Sequence, residues 1–458
     1  MLRPDGFLPV RLFYSCNRNL FCCIFIPDKV KELVRLMLRN INDPRKDITP
    51  FDRAKVPPRQ NLFFLPLIWL ICRFATMPYK LKIEKHNMDG IKPPFLVYCS
   101  HNSFMDFYVT PLVLKPFRAN YISELEGFET WGEWIYRQAG CLGTRKFIND
   151  QCLIRNITRV IDRGDVMVIY PEARYANVGT NSNMAPSIAK LAKLLKVPVV
   201  TLNAKGCYLQ QPIWNLKPRK GARLHADLTC VITKDEIDKL SVDEVFERIT
   251  NELTYDEYRY QLEKGIKISD PWRAEGLHFP LYRCRKCNRD FAMRSTGNRL
   301  YCRHCGDSYE MDELGRLHSG TGETIHIPDW YEWQRGFVHD EVRNGTYRLD
   351  AKVNVRGLPN AKNFIDCGTG RLTHDCSGFT LTFNNYRSGK EETLTFPAKS
   401  MISVHTEYDF RGRYGDCITL STYDDTFFCY PEDESRDVFN PTKIQFATEF
   451  MGGLYGKP

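Results

Sequence analysis

The chain has 458 residues, 43% of them hydrophobic, and a formal net charge of +9. That length exceeds what one core organises and implies two or three domains, while the modest positive balance favours an anionic partner: a membrane surface, a phosphorylated substrate or nucleic acid. Its seventeen cysteines, an odd number scattered except for one ordered group, fit a reducing compartment better than a secreted disulfide framework.

Residues 1–60 read as an N-terminal leader. Val30 to Ile41 has apolar residues at helical spacing, and Pro44 to Pro58 is a basic, proline-marked connector. No cleavable signal peptide is expected, because the apolar run Leu20 to Ile26 is short and soon meets Lys29 and Lys31. A second apolar run, Leu62 to Cys72, contains Pro66 and stops at Arg73. It falls below the roughly 20 residues that a membrane span needs. With Phe63, Phe64, Trp69 and Phe74 it suits either a membrane interface or a helix buried under a sheet. A peripheral protein at the cytoplasmic face of a membrane is expected, not a spanning one.

From 61 to 265 strands alternate with helices, which predicts an α/β domain with a mixed sheet flanked by helices. Strands are expected at 94–100, 118–123, 166–170 and 197–203. Helices are expected at 107–114, 128–139, 149–163, 185–196 and 242–263. A cysteine-rich segment follows, within 266–325. Beyond it, Thr-rich and aromatic runs such as Phe379 to Phe383 and Glu392 to Phe396 predict a small antiparallel β domain over 326–458.

The chemistry concentrates at strand ends. The run Pro94 to Cys99 reads as a buried strand, so His101 falls at its carboxyl end, where open α/β sheets place their sites. A helical first turn brings Asp106 back towards the imidazole, and a base oriented by a carboxylate can take a proton from an alcohol. Gly140 to Phe147 pairs two glycines with Arg145 and Lys146, a plausible phosphate cradle. Val166 to Ile169 is an apolar strand followed by Tyr170, Pro171, Glu172, Ala173 and Arg174; Glu172 suits a substrate hydroxyl and Arg174 an anionic head group. Val197 to Asn203 offers no ionisable group and reads as scaffold. Taken alone, each segment reads more simply as a satisfied strand end, a solvated basic turn or a salt bridge.

In this order the four segments resemble the blocks of the glycerolipid and lysophospholipid acyltransferase family, which includes the 1-acylglycerol-3-phosphate acyltransferases. The family's His-x4-Asp pair is present as His101 and Asp106, with Ser100 where the family usually has Asn. Its Pro-Glu-Gly-Thr-Arg block appears as Pro171, Glu172, Ala173, Arg174 and Tyr175, so the arginine is displaced by one. The resemblance implies that His101 acts as general base on an acceptor hydroxyl, which attacks an acyl thioester (acyl-CoA or acyl carrier protein) directly. It further implies that Asp106 orients the histidine, and that Arg145 or Lys146 with Glu172 holds a phosphorylated glycerol head group.

Cys284-x2-Cys287 is followed after fourteen residues by Cys302-x2-Cys305. Two such knuckles predict a closed four-thiolate zinc ribbon, structural and not chemical; a redox pair or disulfides are the competing reading. The ribbon carries Arg283, Arg285, Lys286, Arg289, Arg294, Arg299 and Arg303 against Asp290. That charge admits a nucleic-acid-binding module or a scaffold with an inactive acyltransferase-like domain. Sparse aromatics and the lack of a recognition helix favour anionic lipid over nucleic acid, leaving lysophospholipid, acyl thioester and membrane surface as expected partners.

Overall fold

The computed structural model describes residues 47–410 and 414–455. The expected helix at Val30 to Ile41 and the run Leu20 to Ile26 lie outside the described residues.

The first sheet holds β1 (Lys82–His86), β2 (Leu96–Cys99), β3 (Ala119–Glu124), β4 (Cys141–Thr144), β5 (Val166–Ile169), β6 (Val199–Lys205) and β7 (His225–Ile232), in the order β1-β7-β6-β2-β5-β3-β4. β2 to β6 run parallel; β7 pairs antiparallel with β6 and carries β1 parallel to itself, so the sheet is mixed. β2 is central and wholly buried, which is why its sequence shows no polar alternation. Val97 and Cys99 enter a core layer with α1 (Leu65–Thr76) and α2 (Asp106–Val113), while Leu96 and Tyr98 enter the opposite layer. That second layer is closed by α3 (Gln151–Asp162), α4 (Ser187–Leu195) and α5 (Val242–Leu253), whose stripes Ile157/Val160/Ile161, Ile188/Ala189/Ala192 and Val245/Ile249/Leu253 face the strands.

The expected strands and the helices at 107–114, 149–163 and 185–196 appear within a few residues of their predicted bounds. Two expected helices are split. Gly132, at φ +92°, divides 128–139 into Leu125–Trp131 and Glu133–Gln138. Asp256 starts a new helix, Glu257–Glu263, by accepting from the Tyr258 and Arg259 N–H groups.

A second sheet is antiparallel and five-stranded: β8 (Met293–Thr296), β9 (Arg299–Cys302), β10 (Ser308–Met311), β11 (Leu317–Ser319) and β12 (Thr324–Ile325). The third is antiparallel and seven-stranded, comprising β13 (Leu349–Leu358), β14 (Ile365–Asp375), β15 (Gly378–Asn385), β16 (Lys390–Pro397), β17 (His405–Glu407), β18 (Cys417–Ser421) and β19 (Thr426–Pro431). The segment 326–458, expected as a small antiparallel β domain, holds this sheet together with two helices, α6 (Ile327–Arg343) and α7 (Pro441–Met451). α7 is buried along its whole length. Its Phe446, Ala447 and Phe450 share one continuous core with Ala176, Val178, Tyr208 and Trp214 of the α/β part and with Cys284 and Cys302. The C-terminal sheet is therefore fused to the α/β unit through apolar packing, at about 25 cal/mol per Å² buried, and is not tethered beside it.

Candidate active site

The loop after β2 is held from below by hydrogen bonds to β6 and the turn after it. Ser100 N–H donates to Leu202 O (2.9 Å), Asn102 Nδ2 to Ala204 O (2.6 Å) and Ser103 Oγ to Cys207 O (2.8 Å). The chain then folds around one carboxylate oxygen. Asp106 Oδ2 accepts from Asn102 N–H at 2.6 Å and Ser103 N–H at 3.0 Å, and lies 3.2 Å from His101 Nδ1. Asp106 is the first residue of α2, where an acidic side chain also meets the positive end of the helix dipole. Both side chains are buried, His101 at 8% exposure and Asp106 at 1%. Burial lowers the His101 pKa below its ordinary value and Asp106 acts against it, so the imidazole is neutral at neutral pH and its Nε2 is free to accept a proton.

The loop after β5 packs over this pair. The Tyr170 and Tyr175 rings lie 4.3 Å and 4.4 Å from the His101 ring, and Phe107 edges it at 5.9 Å. Ala176 N–H donates to His101 O at 2.9 Å. Glu172 turns inwards: Oε1 accepts from the His101 N–H (3.3 Å) and Oε2 from the Ser182 N–H (2.7 Å). Burial pushes its carboxyl up to about 7 despite those donors. Both oxygens of Glu172 are thus occupied in joining the two loops.

The three cations lie on the side facing the C-terminal sheet. Arg145, 3% exposed, donates to Leu358 O (2.8 Å), Pro359 O (2.7 Å), Asp424 O (2.7 Å) and Thr426 Oγ1 (2.9 Å). Arg174 pairs with the buried Glu449 of α7 and donates to Ser403 Oγ at 2.9 Å and Ser182 Oγ at 3.0 Å. Arg335 of α6 meets the same Glu449 at 2.9 Å, completing a buried triad. Lys146 alone of the three acts on His101, its charge opposing protonation of the imidazole; its Nζ is 2.8 Å from Glu124 Oε2 and 3.0 Å from His405 Nδ1. Of the predicted substrate-binding residues, then, Lys146 and Glu172 lie around His101, while the guanidinium groups of Arg145 and Arg174 are engaged inside the protein. His405, Ser403 and Glu449, which face these cations, are some 230 to 280 positions away in sequence. No local motif marks them.

The sulfurs of Cys284, Cys287, Cys302 and Cys305 lie within 4.8 Å of one another. Cys284 is 3.7 Å from Cys305 and Cys287 is 3.8 Å from Cys302, too far for disulfides. Four sulfurs about 2.3 Å from a central zinc would stand about 3.8 Å apart. The donor set and its spacing therefore fit that metal.

Residues 82–205 match the family model described as Acyltransferase. This stretch is an acyltransferase-family domain. It contains His101, Asp106, Lys146 and Glu172, and it ends well before the cysteine cluster. Among solved structures the chain is similar to the 1-acyl-sn-glycerophosphate (LPA) acyltransferase PlsC from Thermotoga maritima. That likeness has 14% identity and a TM-score of 0.37, over 52% of this chain and 89% of that one, and is too distant to transfer residue roles. No protein of curated function matches the chain.

Proposed function

We propose that the protein transfers a fatty acyl group from an acyl thioester, either acyl-CoA or an acylated carrier protein, to the hydroxyl of a lysophospholipid. The observation that carries this reading is the buried His101–Asp106 pair at the carboxyl end of β2, inside the acyltransferase-family domain. Asp106 fixes the Nδ1–H tautomer, so Nε2 takes the acceptor's hydroxyl proton as its oxygen attacks the thioester carbonyl. The tetrahedral intermediate expels the thiolate, which receives that proton from the imidazolium. No acyl-enzyme is required.

The surroundings of Lys146 favour an acceptor whose head group is a phosphodiester or neutral over a phosphate monoester such as 1-acylglycerol-3-phosphate. A dianion placed there would meet Lys146 with Glu124 already on it, while Arg145 is hydrogen-bonded to backbone carbonyls and Arg174 is paired with Glu449. A peripheral membrane site is supported by α1 and the turn before it. Phe63, Leu67, Leu70 and Phe74 follow one another at helical spacing and are exposed, and Trp134 extends the patch beside Phe64. Among the described residues no helix is long and apolar enough to cross a membrane. The structural metal in this reading is zinc held by Cys284, Cys287, Cys302 and Cys305, which would tie the second sheet to the shared core.

The test is thiol release from an acyl thioester by wild type and His101→Ala, with a panel of lysophospholipids in vesicles. Release that requires both acceptor and histidine, falling about 10²- to 10⁴-fold in the variant, supports the reading. No acceptor-dependent release from folded, zinc-loaded protein would replace it with a binding or scaffold role.

A further inference from the structure

A second group of convergent ligands stands at the edge of the first sheet, apart from His101 and from the cysteines. β1 and β7 pair in parallel with Glu84 opposite Asp227 and Lys82 opposite His225. Because strand side chains alternate with period two, Glu84 and His86 share a face of β1, and His225 and Asp227 share the adjoining face of β7. His225 Nε2 lies 3.1 Å from Glu84 Oε2 and 3.2 Å from Asp227 Oδ1. These three ligand atoms are all within 4.8 Å of one another. His86 Nε2 is 3.5 Å from the same Asp227 oxygen.

We propose that this edge binds a divalent zinc-type cation through His225, Glu84 and Asp227, with His86 as an outer contact to Asp227. Ligands at about 2.0–2.1 Å from a tetrahedral metal stand about 3.3–3.4 Å from each other, close to the 3.1 Å and 3.2 Å that separate His225 Nε2 from the two carboxylates. A single imidazole N–H cannot align with two carboxylate oxygens at once, whereas one cation between them satisfies all three groups. The unused oxygens are already fixed: Asp227 Oδ2 takes Lys205 at 2.9 Å, and Glu84 Oε1 takes Lys82. Such outer contacts hold the ligating oxygens in place. They also offset the negative charge, so the site binds zinc more weakly than four thiolates do. Imidazole with carboxylate suits zinc, nickel or copper rather than calcium or magnesium. Partial exposure of His225 and His86 leaves an entry path. β1 bonds to β7 alone, so the cation would staple an edge strand that leads from α1 towards the His101 strand.

The experiment counts zinc by atomic emission in the full chain equilibrated with micromolar zinc, for wild type, His225→Ala, Glu84→Gln and His86→Ala. The proposal expects one zinc fewer in His225→Ala and in Glu84→Gln than in wild type, whatever the cysteines hold. His86→Ala should retain that zinc with about tenfold weaker binding, read by calorimetric titration. Equal zinc content in wild type and either of the first two variants, each folded by circular dichroism, would overturn it. Glu84→Gln, a near-isosteric change on an edge strand, gives the answer if His225→Ala fails to fold.

Discussion

The two sides of the candidate active site are built in opposite ways. His101 and Asp106 belong to one loop of six residues, closed on itself by the Asn102 and Ser103 amides and braced against its own sheet and the loop after β5, all within the α/β domain. The cationic side takes its partners from the C-terminal half: Arg145 reaches acceptors 213 to 281 positions away, and Arg174 meets α7. The His101–Asp106 pair is therefore a property of the α/β domain, whereas the surface a head group would meet in the proposed function is set jointly with the third sheet. The C-terminal half is a wall of the site.

The sharpest break between the two sides is Asp106→Asn. It leaves the loop's amides an oxygen to donate to but removes the charge that stabilises the imidazolium, so kcat should fall about 10²- to 10⁴-fold. The pH profile carries the sign. In the proposed mechanism activity needs neutral His101, whose pKa burial lowers, so the wild-type rate should fall with acid through a point below the ordinary histidine value. Asp106 works against that lowering, so the residual acid limb of the variant should move to lower pH still. An acid limb that does not move would detach Asp106 from His101 and remove the reason for calling the loop self-contained.

Arg174→Met tests the other side. Its loss leaves Glu449 buried with Arg335 as its one remaining ion-pair partner and costs about 3–5 kcal/mol in urea unfolding, as broken buried pairs do. KM for a phosphorylated acceptor should stay within about twofold. A tenfold rise in KM with unchanged stability would instead make Arg174 a substrate contact.

Glu172 joins the two loops and should show itself in stability against pH. Its folded pKa of about 7 lies above the ordinary carboxyl value, so the unfolded chain releases its proton first. Stability then falls as pH rises from about 4.5 to 7, by about 3 kcal/mol if the shift is fully expressed. Glu172→Gln loses one acceptor at every pH but flattens that slope. Urea titrations at pH 5 and pH 8 measure it; an unchanged slope would place the titration elsewhere, with Glu257, pushed to about 8, as the next group to examine.

What could be read from the amino acids alone follows the same division. β2, β5 and β6 are short buried runs, and the Asp106 carboxylate meets His101 and the Asn102 and Ser103 amides within six residues, so period and spacing suffice to find them. β1 carries no strand signal because Lys82–His86 is an exposed, mostly charged edge whose only apolar residue is Ile83. α7 escaped because Pro441–Met451 is buried on every side, which removes the amphipathic stripe that marks a helix. Arg145 and Arg174 look like free cations in sequence because their acceptors are backbone carbonyls and a glutamate from distant elements. The cysteines were legible for the opposite reason, since two knuckles fourteen residues apart suffice to bring four sulfurs together.

The smallest expected effect sits where the two sides meet. Ala173 lies between Glu172, which turns under the His101 amide, and Arg174, which turns out to Glu449, and it has a φ of +55°. A left-handed alanine costs about 1–2 kcal/mol, and the added backbone freedom of glycine returns about 0.5–1 kcal/mol of that to the unfolded chain. Ala173→Gly should therefore stabilise the protein by a few tenths to about 1 kcal/mol. If the turn serves only to place its neighbours, kcat is unchanged, because Glu172 and Arg174 are each anchored by their own contacts. A stabilised variant with reduced kcat would mean that the strained turn itself holds the loop over His101, and the two sides of the site would then be coupled through this one residue.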